Sequence, residues 1–99
     1  MKNISAADLK AKMNAGEKIN LIDVREPNEF AESNIPGAIL VPLSKIQMMD
    51  IDPIEDMKEE EIFVHCRSGK RSVTACQFLE GMGFTNLTNV EGGILAWKE

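Results

Sequence analysis

Blocks of apolar and polar residues follow one another along this chain and predict ten short secondary-structure elements. Short apolar runs rich in β-branched residues predict strands at 19–24, 38–41, 62–65 and 86–90. Apolar positions at helical spacing, with Ser5 as N-cap and Gly16 as a stop, predict a first helix over about 6–15. Five further helices are predicted near 28–33, 45–49 (with Ser44 as the candidate cap), 54–57, 71–82 and 94–97.

The order of these elements indicates an α/β fold. Strands alternate with helices, and the strands are continuous apolar runs, which is typical of a parallel sheet covered on both faces. Functional sites in such sheets form beyond the carboxyl ends of the strands. The strand 62–65 ends at Cys66, and the strand 19–24 ends in Asp23-Val24-Arg25. We therefore expect these two segments to lie close together.

Length and composition set limits on the class of protein. The 99 residues predict a single domain, 1–99, and the 43% hydrophobic and 27% charged content is ordinary for a soluble protein. A net charge of -5 argues against general binding of nucleic acid. No run has the length of a signal-peptide core or a membrane helix. We therefore expect no membrane association and a cytoplasmic location, the alternative being a chain whose signal segment has been removed. Two cysteines and one histidine predict free thiols, no metal and no cofactor.

The chemistry suggested by the sequence is concentrated in the loop that follows the strand 62–65. Cys66 opens this loop, and a helix begins near Arg71. No acidic residue occurs between Glu61 and Glu80, while Arg67, Lys70 and Arg71 are all cationic. Unpaired backbone N–H groups at a helix N-terminus and nearby cations stabilise a thiolate. We therefore expect Cys66 to be a reactive thiolate at neutral pH, the alternative being a structural cysteine among apolar neighbours.

Several other residues allow two interpretations. Arg71 is expected either to contact an anionic substrate or to pair with a carboxylate at the start of its helix, with Asp23 as the candidate partner. Asp23 and Arg25 are expected to support the site rather than react. His65 is interpreted as a packed strand residue in preference to a proton shuttle. Cys76 lies on the apolar face of its helix and is expected to be buried.

Four sequence blocks, in this order, resemble the rhodanese-like family of sulfurtransferases in its single-domain form. They are LIDVREPNEF, NIPGAILVP, VHCRSGKRS and EGGILAW, and they span nearly the whole chain. The resemblance implies a doubly wound, mainly parallel five-stranded sheet and a persulfide-forming nucleophile at Cys66. It implies an anionic sulfur donor such as thiosulfate, and cyanide, a thiol or an acceptor protein as acceptor. The expected substrate-binding loop comprises Arg67, Ser68, Gly69, Lys70, Arg71 and Ser72.

The length of this loop separates sulfur transfer from related chemistries. Cys66 to Arg71 spans six residues, the length seen in the sulfur-transferring members, whereas the related phosphatases and arsenate reductases have a loop one residue longer. A phosphatase or arsenate reductase is therefore the weaker alternative. A non-enzymatic sulfur carrier or partner-binding module is the second hypothesis. Asn34 and His65 depart from the residues common in the family, and His65 is expected to influence the choice of donor.

Overall fold

The computed structural model describes residues 1–98 and contains five strands, five α-helices and one 3₁₀ helix. The strands are β1 (Lys2–Ser5), β2 (Leu21–Asp23), β3 (Ile39–Leu40), β4 (Ile62–His65) and β5 (Leu87–Glu91). The helices are α1 (Ala6–Asn14), α2 (Pro27–Glu32), α3 (Leu43–Gln47), the 3₁₀ helix (Asp52–Met57), α4 (Lys70–Gly81) and α5 (Gly93–Trp97). Each of the ten predicted elements is present, with small differences at its ends.

One strand has no counterpart in the prediction from apolar runs. β1 covers Lys2–Ser5 and is exposed over its first two residues, so its sequence lacks a continuous apolar run. It forms because β5 offers a free edge, to which Asn3 and Ile4 align opposite Asn89 and Val90. The fifth strand was implied by the family resemblance alone.

All strand pairs are parallel, and the sheet order is β1-β5-β4-β2-β3. β4 lies at the centre because its residues are completely apolar up to His65 and are buried throughout. Asp23 of β2 aligns with His65 of β4, so both strands end at the same edge of the sheet. The predicted proximity of Asp23-Val24-Arg25 to Cys66 is confirmed.

Two apolar layers cover the two faces of the sheet, as predicted. On one face, Ile46 of α3, Ile54 of the 3₁₀ helix and Leu79 of α4 pack against Ile22 and Val64. On the other, Leu9 of α1 and Ile94 of α5 pack on Leu21, Phe63 and Val90. Within residues 1–98, no helix is long and apolar enough to cross a bilayer.

One predicted helix cap is wrong. Ser44 lies inside α3, which begins at Leu43 after Pro42, and the Ser44 hydroxyl instead donates to the Glu26 carboxylate at 3.2 Å. Pro42 is itself the N-cap, and its carbonyl accepts from the N–H groups of Lys45 and Ile46 at 2.9 and 3.0 Å. The Leu43 N–H donates to the Val24 carbonyl at 2.9 Å, so backbone groups, without a side-chain cap, hold the start of this helix.

Candidate active site

The loop between β4 and α4 wraps its backbone around the sulfur of Cys66. Gly69 is in the left-handed region, with φ +105°, which glycine adopts without strain. This conformation turns the Gly69 N–H onto the Cys66 sulfur at 3.1 Å. Ser72, in the first turn of α4, places its hydroxyl 3.5 Å from the same sulfur. A backbone N–H at the start of α4, as expected, therefore donates to the Cys66 sulfur.

The acidity of Cys66 results from a balance between burial and these donors. The residue is only 1% exposed, and burial by itself would raise the pKa of its thiol. Hydrogen bonds from Ser72, and from the backbone N–H groups of Gly69 and Ser68, outweigh burial and hold the pKa below its ordinary value. Cys66 is buried, as the structural alternative required, but its surroundings favour the thiolate.

The three loop cations have different environments. Arg67 and Lys70 are exposed at the loop surface. Arg71 is half-buried and donates two hydrogen bonds to Glu29 of α2, at 2.7 and 2.8 Å. The expected pairing of Arg71 with a carboxylate is confirmed, but Asp23 was the wrong candidate, since the partner is Glu29. Glu29 is 42 positions from Arg71 in the sequence. The local sequence of the loop, which has no acidic residue, therefore gave no sign that a carboxylate of α2 would lie beside it.

Asp23 and Arg25 form a buried ion pair beside the loop. The Arg25 guanidinium donates to both Asp23 carboxylate oxygens, at 2.7 to 3.1 Å, and to the Ser33 carbonyl at 2.7 Å. Arg25 thereby joins the end of β2 to the segment after α2. Within residues 1–98 neither charged group is hydrogen-bonded to Cys66, and a supporting role for both residues stays a prediction.

His65 is completely buried between this ion pair and the loop backbone. Its Nδ1 lies 3.1 Å from the Cys66 carbonyl oxygen, and its Nε2 lies 3.6 Å from an Asp23 carboxylate oxygen. Burial lowers the pKa of His65, and the neighbouring Asp23 charge opposes this effect only in part. A ring packed in this way fits the expected structural role better than that of an exposed proton shuttle.

Gly93 is a site residue that sequence reasoning treated only as part of a turn. The N-terminus of α5 docks on the loop, where Ile94 N–H donates to the Cys66 carbonyl at 2.9 Å and Leu95 N–H to the Arg67 carbonyl at 3.1 Å. A Cβ atom on Gly93 would lie 2.4 Å from the Cys66 carbonyl oxygen. The Gly92-Gly93 pair in the block EGGILAW was the available signal of this close approach.

Beside the loop lies an open cleft of about 220 Å³. Arg25, Arg67 and Lys98 contribute cationic groups to its walls, and Glu29 and Glu32 contribute carboxylates. Among residues 1–98, no group of three or more His, Cys, Asp or Glu side chains is placed to hold a metal ion. The arrangement is therefore a buried thiol that accepts a backbone hydrogen bond, next to a surface of mixed charge.

Comparison with known proteins gives one family over nearly the whole chain. The family model described as Rhodanese-like domain matches residues 5–99. Bacillus subtilis YtwF is 43% identical over 100 residues, covering 99% of this chain and 91% of YtwF. A sulfurtransferase of Allochromatium vinosum is 34% identical over 94 residues, covering 95% and 85%. A Staphylococcus aureus rhodanese-like domain protein aligns with a TM-score of 0.85 at 34% identity, covering 98% of this chain and 91% of that chain.

Proposed function

The chain belongs to the rhodanese-like domain family, and from this premise we propose that it is a sulfurtransferase working through a persulfide on Cys66. The observation that carries the proposal is the pair of polar groups on one sulfur. The Gly69 N–H donates to it at 3.1 Å, and the Ser72 hydroxyl is hydrogen-bonded to it at 3.5 Å. A thiolate held by such donors is the attacking form of cysteine in covalent catalysis.

In the first step the Cys66 thiolate attacks the outer sulfur of a donor such as thiosulfate. A bond forms between the two sulfur atoms while the donor's S–S bond breaks, and its electron pair leaves with sulfite. The thiolate and thiosulfate together carry three negative charges, and the persulfide anion and sulfite carry the same total. The same backbone N–H groups that hold the thiolate stabilise the terminal persulfide sulfur, as preorganised donors stabilise developing charge elsewhere.

The exposed cations supply the attraction for an anionic donor. Arg67 and Lys70 are exposed on the loop, and Arg67 and Lys98 contribute to the adjacent cleft. Arg71 is neutralised by Glu29, so its contribution to donor binding is indirect. Arg67 and Lys70 are therefore proposed as the direct donor contacts, with Ser68 completing the loop.

In the second step an acceptor anion takes the outer sulfur of the persulfide. Cyanide gives thiocyanate, and a thiolate gives a new persulfide, with the Cys66 thiolate restored in both cases. Because Cys66 is only 1% exposed, the acceptor atom has to reach it on a slender group. A small anion or a thiol at the end of a flexible chain meets that requirement, including a thiol presented by an acceptor protein.

The test is intact mass spectrometry of the protein after thiosulfate treatment, combined with a thiocyanate assay for turnover. We expect a gain of one sulfur atom on Cys66 and continuous thiocyanate formation when cyanide is added. Cys66→Ser should lose both signals, and Cys76→Ser, which alters a thiol outside the loop, should keep both. Sulfur loading that survives in Cys66→Ser contradicts the proposal.

The same experiment separates the proposal from its alternatives. A sulfur carrier would load one sulfur and release it once, without sustained thiocyanate production. A phosphatase would hydrolyse a small aryl phosphate and gain no sulfur from thiosulfate.

A further inference from the structure

A line of hydrogen-bonded polar side chains leads from the Cys66 sulfur through Ser72 and Asn89 to Asn3. The Cys66 thiol donates to the Ser72 hydroxyl at 3.5 Å, and the Ser72 hydroxyl donates to Asn89 Oδ1 in a short hydrogen bond. The Asn89 Nδ2 in turn donates to Asn3 Oδ1 at 3.2 Å. The nucleophile is thus connected through α4 and β5 to the edge strand β1.

The central members of this line are shielded from solvent. Ser72 is completely buried and Asn89 is 4% exposed, whereas Asn3 at the far end is exposed. In the sheet Asn89 aligns with Val64 of β4 on one side and with Asn3 of β1 on the other. Burial of an amide is unfavourable unless both of its ends have hydrogen-bond partners. Ser72 and Asn3 supply those two partners.

The directions of these hydrogen bonds depend on whether Cys66 is a thiol or a thiolate, because the Ser72 hydroxyl can donate only once. A serine hydroxyl has one proton, and the Ser72 oxygen also lies 3.1 Å from the Gly69 carbonyl oxygen. While Cys66 is a thiol, the arrangement is consistent, since the thiol donates to Ser72 and Ser72 donates to Asn89. A thiolate can only accept, and the Ser72 oxygen would then face three acceptors with one proton.

We propose that Asn89 is a positioning residue whose amide reverses when Cys66 ionises, so that the hydrogen bonds of this line point toward the sulfur. A 180° rotation exchanges the oxygen and nitrogen of the amide at nearly the same positions. Asn89 Nδ2 then donates to the Ser72 oxygen, which frees the Ser72 proton to be donated to the thiolate. The exposed Asn3 amide turns in the same sense and donates to Asn89 Oδ1, while the thiol proton passes to the buffer.

This inference rests on the proposed function, because the same inward-pointing line would also hold the persulfide anion between the two half-reactions. Hydrogen bonds to an anion are stronger than those to a neutral group, and each bond in a buried chain polarises the next. Removal of Asn89 as a donor therefore weakens the thiolate state more than the thiol state. The pKa of Cys66 should rise when Asn89 is replaced by an apolar residue.

The test is the pH dependence of Cys66 alkylation by iodoacetamide in Asn89→Leu, with the modified peptide identified by mass spectrometry. We expect the midpoint to move to higher pH and the rate at pH 6.5 to fall at least about threefold, in line with the strength of a hydrogen bond to a charged group. Thr88→Val is the matched control. Thr88 is the preceding residue, is buried and leaves its hydroxyl without a partner among residues 1–98, so its loss should leave the midpoint unchanged.

A midpoint that stays in place, or moves to lower pH, overturns the proposal. A midpoint at lower pH would mean that Asn89 only accepts the hydrogen bond from Ser72 and so directs the Ser72 hydroxyl away from the sulfur. A measurement on the wild-type protein covers the case in which Asn89→Leu does not fold. The side-chain amide ¹⁵N resonance of Asn89 should shift with the same midpoint as Cys66 ionisation, and a resonance that does not titrate contradicts the reversal. Neither readout uses a sulfur donor, so failure of sulfur transfer and failure of this proposal remain distinguishable.

Discussion

Cys66 and Cys76 lie in the same apolar cluster and are both buried, yet the pKa values of their thiols are shifted in opposite directions. Burial raises the pKa of Cys76 to about 12, and the nearby Glu80 charge adds to this effect. Burial also opposes ionisation of Cys66, but hydrogen bonds from Ser72, Gly69 and Ser68 hold its pKa below the ordinary value. The degree of burial is therefore a poor guide to reactivity in this protein.

The difference between the two thiols comes from their positions relative to α4. Cys66 precedes the helix, where the first N–H groups have no partner within the helix and are free to meet a sulfur. Cys76 lies in the middle of α4, where each backbone N–H is already bonded within the helix, and its side chain packs in the apolar cluster. Available donors, rather than solvent contact, distinguish the thiol with the lowered pKa from the thiol with the raised pKa.

The largest effect is expected in the alkylation rates of the two thiols, compared directly. At pH 7 a thiol with a pKa of about 12 is almost entirely protonated, so we expect Cys66 to react more than about a thousandfold faster than Cys76. Iodoacetamide labelling followed by peptide mapping measures both rates in one sample. Comparable rates for the two cysteines would show that the loop donors do not activate Cys66.

Substitution of Gly93 should displace the loop and its hydrogen-bond donors while leaving both cysteine side chains unchanged. In Gly93→Ala the new Cβ would meet the Cys66 and Arg67 carbonyl oxygens at 2.4 and 2.6 Å, at a left-handed φ of +56°. We expect a loss of about 2–4 kcal/mol in the free energy of unfolding, from the clash and from backbone strain. Urea denaturation measures this loss, and alkylation of any folded protein should show a less reactive Cys66.

Gly81 provides the control for the Gly93 substitution. It is the last residue of α4, and a Cβ atom there meets nothing within 4 Å. Gly81→Ala should therefore leave Cys66 unchanged and stabilise the protein by about 0.5–1 kcal/mol, the usual difference between these residues in a helix. Equal destabilisation by both substitutions would show that the docking of α5 on the loop is not the cause.

A smaller effect is expected from the ion pair that holds the loop helix to α2. The hydrogen bonds from Arg71 lower the pKa of Glu29 from 4.5 to about 2. Because the folded protein keeps this carboxylate ionised where the unfolded chain would protonate it, the pair contributes its full stability above pH 4.5. That contribution is lost as the pH falls from 4.5 toward 2.

The measurement is chemical denaturation at pH 6 and at pH 3 for the wild type and for Glu29→Gln. The wild type should lose more stability between the two values than the variant, which has no carboxylate to protonate. Glu32→Gln serves as the control, since it removes a carboxylate from the same helix outside this ion pair. A variant with the same pH dependence as the wild type would assign the acid sensitivity to other groups.

The residues alone were enough to predict ten of the eleven elements, the central strand β4 and the place of Cys66 at its end. Ile62-Phe63-Val64 is a continuous apolar run, and the break at Cys66 followed by glycine and cations predicts a loop leading into a helix. These features are local, since each depends on residues within a few positions of one another. For the same reason the burial of Cys76 could be predicted from the spacing of apolar residues in its own helix.

The partners that are distant in sequence became known only from the folded structure. β1 forms because β5 offers an edge, Arg71 is neutralised by Glu29 across 42 positions, and Asn89 meets Ser72 across 17. Gly93 is required where α5 meets the carbonyl of Cys66. No local pattern encodes such contacts, because the folding of the sheet alone brings these side chains within a few ångströms of one another. The loop sequence placed a cysteine where it could react, and packing set which groups control its charge.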